Sequence, residues 1–152
     1  MLEAVMKKIL GVIWPAAIKN NASFTVAEID SLGFDYAEFV FMYGASDIGM
    51  ATLKLQESDV TGSGQTDITG LIFGTSLNDT GSTSALPSST DDNKLFKFEV
   101  DLRGRKRFLT LVATAGNGST GSYGAAFCEL SRGQQVPTTA AQKGVAQNLR
   151  VP

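Results

Sequence analysis

The densest charge cluster of the chain lies in the run 99-EVDLRGRKRFLTL-111. It consists of four basic residues within five positions: Arg103, Arg105, Lys106 and Arg107. Such a cluster can bind the phosphates of a nucleic acid, pair with acidic side chains of a protein neighbour, or be a solvated turn. The chain as a whole carries 13 Lys and Arg against 15 Asp and Glu, and aromatic residues are not interleaved with the cations on the exposed face. We therefore expect no nucleic-acid partner. The solvated turn stays open beside a protein contact with acidic residues of a neighbour, such as Asp91 and Asp92.

Residue types that support catalysis are scarce. The chain has no histidine, which removes Ser-His-Asp triads, Cys-His pairs and histidine-ligated zinc. Its one cysteine, Cys128, lies in the apolar run 125-AAFCEL-130 and is predicted to be a buried free thiol. Asp91 and Asp92 could offer oxygen ligands to calcium, but the spacing of an EF-hand is absent. We expect no enzymatic activity, no cofactor, no metal and no small-molecule substrate.

Two short motifs match known sites by spelling alone. Gly116, Gly118 and Gly121 fit G-x-G-x-x-G, yet another strand pattern follows where a dinucleotide site needs a helix and a later acidic residue. The run 79-DTGS-82 spells the tetrapeptide of aspartic proteases, but no apolar strand precedes it to hold the aspartate opposite a second carboxylate. We interpret the glycines as a hairpin tip and the tetrapeptide as a chance match.

The hydrophobic pattern that must position these residues has a period of two. In 96-FKFEVDL-102, apolar residues alternate with charged ones, as in a half-buried strand. The run 37-AEFVFMYG-44 is apolar on both faces, which is typical of a central strand. Further strands are predicted at 22–29, 50–57, 67–73, 106–114 and 123–130. If 96–102 pairs with 106–114, 103-RGR-105 is the turn of a hairpin, with Gly104 free to take positive φ.

These patterns predict an all-β fold, an antiparallel β-sandwich that is jelly-roll-like and carries extended terminal arms. The sandwich is expected over 22–131, with a long loop at 74–94 that is either flexible or an ordered contact loop. The N-terminal arm, 1–21, has apolar residues at helical spacing, which favours an amphipathic helix; a first strand and a targeting relic stay open. The C-terminal arm, 132–152, is either mobile or ordered by a neighbouring subunit. No run approaches the ~20 apolar residues of a membrane span, and we expect no membrane partner.

Three phrases carry a resemblance to a known class of protein: "GFDYAEF", "GASDIGMATLKLQESD" and "DLRGRKRFL". Across roughly residues 15–131 the chain resembles small structural proteins of tailed double-stranded DNA bacteriophages. The resemblance implies a non-enzymatic virion component made in the bacterial host cytoplasm. Together with the composition, it favours a head decoration (cement) protein on the capsid surface. Such a protein stabilises the lattice of the major capsid protein and is commonly a homotrimer.

Two other functions stay open from the sequence. A tail or baseplate component differs from a decoration protein in location, which the sequence does not separate. A carbohydrate-binding β-sandwich module would need exposed aromatic side chains on one sheet face. The aromatic residues available for this are Trp14, Tyr36, Tyr43 and Tyr123.

Overall fold

A computed structural model describes residues 6–151 of the 152-residue chain and contains two four-stranded antiparallel sheets. The strands are β1 (Lys8–Ile13), β2 (Ile29–Asp30), β3 (Phe34–Ser46), β4 (Met50–Ser58), β5 (Thr66–Ile72), β6 (Lys94–Asp101), β7 (Phe108–Ala115) and β8 (Ser122–Gly133). Sheet A has the order β1-β8-β3-β6, and sheet B has the order β2-β7-β4-β5. The predicted all-β antiparallel sandwich is therefore confirmed. No helix that could cross a membrane occurs in the described residues.

Side chains that alternate along the strands fill the space between the two sheets. In β7 every second residue from Leu109 to Ala115 is buried, and in β3 the inward positions include Phe39 and Phe41, which are fully buried. Burying one such side chain stabilises the fold by roughly 1.5–3 kcal/mol. The period of two thus places one half of each strand in the core and leaves the other half to form the outer faces of the sheets.

The connections between strands differ from the expected hairpins. β6 lies in sheet A and β7 in sheet B, so 103-RGR-105 belongs to a crossing between the sheets and the predicted hairpin is wrong. Gly104 does have positive φ, at 78°. Residues 116–121 likewise join β7 in sheet B to β8 in sheet A, so they are not a hairpin tip. Of the connections between these strands, β4–β5 alone stays within one sheet. Turn residues look alike in both cases because a crossing also requires a tight reversal of the backbone.

The N-terminal segment is a strand where it is described, so the helix that we favoured is wrong over Lys8–Ile13. β1 pairs antiparallel with β8, with Leu10 opposite Cys128. A β-bulge between Gly11 and Ile13 leaves both Val12 and Ile13 buried. The helical pattern used Ile9, Leu10 and Ile13 from this range, but Ile9 is 41% exposed, so these three residues do not share one buried face. Leu2 and Val5, which contributed to the helical pattern, lie outside the described residues.

The predicted strand at 22–29 is mostly a connection rather than a strand. Regular pairing is confined to β2, and the preceding residues make single contacts with both sheets. The N–H of Phe24 donates to the carbonyl of Ala113 in β7 at 2.9 Å, and the N–H of Ala27 donates to the carbonyl of Val12 in β1 at 2.8 Å. The segment therefore passes from one sheet to the other.

The long loop and the C-terminal segment both fold against the sandwich. In the loop, Pro87 is buried and its carbonyl accepts the N–H of Met50 at 2.8 Å, so the loop forms an ordered structure within the single chain. Residues 140–144 form turns, and the carbonyl of Lys143 accepts the N–H of Ile9 at 2.9 Å. The C-terminal segment thus covers part of the free edge of β1.

Candidate interaction surfaces

The four basic residues of the predicted contact site lie at the crossing between β6 and β7, and each has a partner within the chain. Arg103 donates to both carboxylate oxygens of Asp101, at 2.9 and 2.6 Å. Arg107 does the same with Asp30, at 2.8 Å for each bond, and its guanidinium also lies 4.9 Å from the ring centroid of Phe108.

The remaining two cations contact β4 and β5. Arg105 lies 3.5 Å from the carboxylate of Glu57, and the ammonium of Lys106 donates to the hydroxyl of Thr66 at 3.4 Å. The backbone N–H of Lys106 donates to Glu57 as well, at 3.1 Å. The basic crossing is therefore a surface of paired charges rather than a patch of free cations.

The ion pairs of Arg103 and Arg107 lower the pKa values of their acidic partners. Hydrogen bonds from Arg103 lower the pKa of Asp101 to about 2, and those from Arg107 lower the pKa of Asp30 below its ordinary value. All three salt-bridged arginines keep a third or more of their side chains exposed. Isolated exposed pairs of this kind contribute little to stability.

Asp91 and Asp92, the predicted acidic counterpart, precede β6 and lie at its other end from the basic crossing. Asp91 accepts the ammonium of Lys94 at 2.7 Å and the N–H of Ser88 at 2.8 Å, which together lower its pKa to about 2. Asp92 is exposed. No group of three or more His, Cys, Asp or Glu side chains that could hold a metal occurs within residues 6–151.

The glycines of the G-x-G-x-x-G match serve close packing. A Cβ on Gly116 would lie 2.5 Å from the carbonyl oxygen of Gly49, and a Cβ on Gly121 would lie 2.2 Å from that of Lys19. The carboxylate of Asp47 accepts the N–H groups of Thr120 and Gly121, both at 2.7 Å. The backbone amides that could have held a phosphate are thus already bonded within the chain.

The tetrapeptide 79-DTGS-82 forms the tip of the long loop. The side-chain oxygen of Asn78 accepts the N–H groups of Thr80 and Ser82, each at 3.0 Å, and Gly81 takes a φ of 80°. Asp79 is exposed, and no second carboxylate bonds to it within the described residues. The geometry of an aspartic protease dyad is not present at this tip.

Cys128 is fully buried, as predicted, opposite Phe39 of β3 and Leu10 of β1. Burial raises the pKa of its thiol, which keeps it protonated and unreactive.

A second buried polar group, the hydroxyl of Tyr43, donates to the carbonyl of Ile48 at 2.5 Å and lies near Ser122. Tyr43 is therefore a core residue and is not available to a ligand.

The outer face of sheet A is a surface that we did not predict from the sequence. We define its apolar half by six residues: Trp14, Val40, Met42, Leu95, Tyr123 and Phe127. Cross-strand pairs bring these side chains together. Met42 lies opposite Leu95, and Val40 lies opposite Phe127. The sequence did contain a signal for this face in the run 37–44, which is apolar on both sides of the strand. We interpreted that pattern as a central strand, but it also fits a strand with one apolar face exposed.

Exposure within this apolar half is high at its periphery. Trp14 is 71% exposed, Leu95 is 67% exposed and Tyr123 is 48% exposed. The indole of Trp14 lies over Gly11, which has no side chain to hold it away from the sheet. Between Pro15, Met42 and Tyr123 the surface forms a shallow depression of about 400 Å³. A contiguous surface of this kind is typical of a contact site.

The other half of the same face is acidic and partly neutralised. Glu38 lies opposite both Glu99 and Glu129, so three carboxylates form one row across β6, β3 and β8. Lys97 contacts Glu99 at 2.6 Å, and Lys7 contacts Glu129 at 2.8 Å. The face therefore joins an apolar contact area to a charged border.

A groove of about 640 Å³ opens between β5 and β6, on the side of the sandwich where both sheets end. The rings of Phe73, Phe96 and Phe98 form its apolar wall, with centroids 5.7 Å apart for Phe73 and Phe96 and 5.0 Å apart for Phe73 and Phe98. Leu77, which is 67% exposed, projects from the long loop at its border.

No model of a known protein family matches the sequence, and no curated protein matches it either.

Proposed function

We propose that this chain is a non-enzymatic structural component of a tailed-phage virion, a decoration protein that binds and stabilises the lattice of the major capsid protein. The proposal rests on the resemblance carried by the three phrases given above and on one observation, the apolar half of the outer face of sheet A. An enzyme would need a constellation of reactive groups. The described residues instead offer paired surface charges and a contact surface.

The strand order supports the jelly-roll description of the sandwich. Eight strands divide into β1-β8-β3-β6 and β2-β7-β4-β5, and nearly all connections cross between the two sheets. Two Greek keys folded over one core produce a sandwich of this kind, which occurs in viral capsid domains and in lectins. The architecture suits both a capsid-bound protein and a carbohydrate-binding one.

The apolar half of sheet A favours a protein partner. Its exposed side chains belong to three strands and the segment after β1, so they present one broad surface rather than a narrow cleft. Burying such a surface against a repeated lattice needs no tight single site, because many weak contacts add up over a shell. The charged row of Glu38, Glu99 and Glu129 then forms the polar border that protein interfaces commonly have.

The basic crossing and the acidic pair fit the same proposal as secondary contacts. Arg103, Arg105, Lys106 and Arg107 at one end of β6, and Asp91 and Asp92 at the other, would meet between neighbouring copies in a closed ring such as a trimer.

Binding to purified phage heads that lack the protein tests the proposal. We expect saturable binding at a copy number comparable to the major capsid protein, and localisation over the shell by cryo-electron microscopy. Met42→Asp and Trp14→Ala should weaken binding, whereas Leu32→Asp, which changes a leucine that is 66% exposed outside this face, should not. Localisation of a few copies at the tail would instead establish the tail or baseplate alternative.

A carbohydrate-binding module is the second candidate, and one observation favours it. The alternation of buried and outward residues places Tyr36 and Tyr123 on the outer face of sheet A, and Trp14 packs over Gly11 on that face. Aromatic rings on one face are what such modules need, although Tyr43 is lost to the core. A glycan array that yields a ligand sensitive to Trp14→Ala would support this candidate, and an array without a ligand would remove it.

A further inference from the structure

The groove between β5 and β6 borders a strand whose backbone is free on one side. β6 pairs with β3 alone, so alternate residues of β6 direct their N–H and C=O groups away from the sheet. Within residues 6–151, no backbone hydrogen bond from another segment reaches residues 95–101. The opposite edge of sheet A differs, because Ala27 and Lys143 bond to β1 there.

The groove adds an apolar wall to this free edge. Phe98 is 3% exposed and closes the bottom, while Phe73 and Phe96 are partly buried and face the opening. On the outward side of β6, Lys97 and Glu99 alternate with the inward phenylalanines. In an extended segment added to this edge, every second side chain would therefore enter the groove, and the side chains between them would lie beside Lys97 and Glu99.

Residues 146–151 at the C-terminal end have the complementary pattern. Leu149 is 97% exposed and Val151 is 90% exposed, and Arg150 stands between them. In an extended segment, Leu149 and Val151 lie on the same side and Arg150 on the other. Within the described part of the chain, residues 146–151 make no hydrogen bond or ion pair.

We propose that residues 146–151 of a second copy of the chain add as an extra strand along β6. Leu149 and Val151 enter the groove beside Phe73 and Leu77, and Arg150 lies on the outer face next to Glu99. The main-chain hydrogen bonds supply affinity, and the two apolar side chains fix the register. Through the exchange, each copy contributes a segment to its neighbour's otherwise unpaired edge.

The length of the segment favours a second copy over the chain's own groove. The segment is preceded by Val145, whose N–H donates to the carbonyl of Ala140 at 3.0 Å, and by Gly144, which lies against the backbone of Ile9 in β1. From β1 to β6 the sheet is three strand spacings wide, or about 14 Å, and six extended residues span about 20 Å. Crossing its own sheet would use about four of those residues and would leave about two to run along β6, which is too few for an added strand.

Sedimentation velocity of the purified full-length chain over a concentration series tests the inference. We expect self-association that weakens by about tenfold or more in Kd with the double variant Leu149→Asp and Val151→Asp, and again with Leu77→Asp. Leu32→Asp is the matched control, because Leu32 is 66% exposed and does not line the groove; its Kd should be unchanged. Arg150→Glu and Glu99→Arg should each weaken association, and the two together should restore it.

A cross-link identifies which copy supplies the segment. In the double variant Leu77→Cys and Leu149→Cys, oxidation should give covalently linked oligomers, because the native Cys128 is buried and does not compete. An intrachain disulfide in a monomer would overturn the second-copy assignment. A wild-type chain that stays monomeric at all concentrations, or association that is indifferent to both the tail and groove variants, would overturn the inference as a whole. None of these experiments uses phage particles, so the result is independent of the proposed virion role.

Discussion

The carboxylate of Asp47 accepts the backbone N–H of Gly121 at 2.7 Å and so joins the connection between β3 and β4 to the connection between β7 and β8. The N–H of Thr120 donates to the same carboxylate, also at 2.7 Å. Both connections cross between the sheets at one end of the sandwich. The side chain reinforces a junction that backbone bonds also hold: the N–H of Asp47 donates to the carbonyl of Gly121 at 3.2 Å, and the N–H of Gly116 donates to the carbonyl of Gly49 at 3.0 Å.

Replacing Asp47 by alanine should lower the melting temperature and speed the hydrogen exchange of the Thr120 and Gly121 amides, because both donors lose their acceptor. Native-state exchange measured by NMR, combined with thermal unfolding, checks this. Asp79→Ala is the control, since Asp79 is exposed and makes no hydrogen bond within residues 6–151. If the two variants melt at the same temperature, the Asp47 contacts are not structurally important.

Replacing Gly121 by alanine should destabilise the fold by more than replacing Gly33. Both glycines have positive φ, at 111° and 88°, so each alanine incurs a backbone cost of about 1–2 kcal/mol. At Gly121 the new Cβ would also lie 2.2 Å from the carbonyl oxygen of Lys19, whereas nothing lies within 4 Å at Gly33. Urea unfolding of both variants separates the two effects, and equal free energies of unfolding would show that the segment around Lys19 yields without cost.

The strands β3 to β8 were predictable because burial on one face imposes a period of two, whereas β1 was mistaken for a helix and β2 is much shorter than the predicted strand. The runs 96–102 and 106–114 correspond closely to β6 and β7, and the inward residues Phe98 and Leu109 follow directly from the alternation. Pairing was not predictable to the same extent. The residues around Gly104 are compatible with a hairpin and with a crossing between the sheets. Which of the two forms depends on the pairing of β6 with β3 and of β7 with β4, and these partner strands are distant in sequence.

The candidate site was less predictable than the strands. Trp14, Met42 and Leu95 are far apart in sequence and meet only through the order of strands in sheet A. The basic residues were evident as a cluster, but a sequence does not reveal that Arg107 pairs with Asp30, 77 residues away. Sequence thus indicates which residues carry charge or apolar area, while the long-range pairing decides which of them remain available.

Stability should be flat between pH 5 and 8 and fall below about pH 4. The chain lacks histidine, so no unperturbed side chain changes charge between pH 5 and 8. Hydrogen bonds lower the pKa values of Asp30, Asp47 and Asp67, and bring those of Asp91 and Asp101 to about 2. Since a lowered folded-state pKa stabilises above the unfolded value of about 3.9, this contribution is lost as the pH falls from about 4 towards 2.

Urea unfolding at a series of pH values checks this dependence. The double variant Asp91→Asn and Asp101→Asn should reduce the slope of the unfolding free energy between pH 4 and 2, because two of the protonations that favour unfolding are removed. A slope equal to that of the wild type would contradict the assignment. A transition near pH 6.5 would also contradict the prediction, because it would require a titrating group that the pairing described here does not supply.

Cys128 should react with a thiol reagent only after the protein unfolds. The side chain is fully buried between the sheets, and burial raises its pKa, so the reactive thiolate does not form in the folded state. Labelling with an aromatic disulfide reagent should be slow in buffer and complete in denaturant. Rapid labelling in buffer, with near-ultraviolet circular dichroism unchanged, would show that β8 opens locally at Cys128.

A charge swap between Arg107 and Asp30 should weaken attachment to phage heads without changing the melting temperature. Changing Arg107→Glu alone would place two carboxylates at the position of a bidentate pair, so a loss of attachment could arise from a distorted fold. Combining Arg107→Glu with Asp30→Arg restores the ion pair and reverses the charge that each of the two positions presents to a partner. The swap Lys54→Asp with Asp67→Lys exchanges a similar surface pair that includes none of the four basic residues, and it should leave attachment unchanged. If the Arg107 and Asp30 swap binds heads as the wild type does, the basic crossing is a solvated turn, because a protein contact would respond to the reversed field.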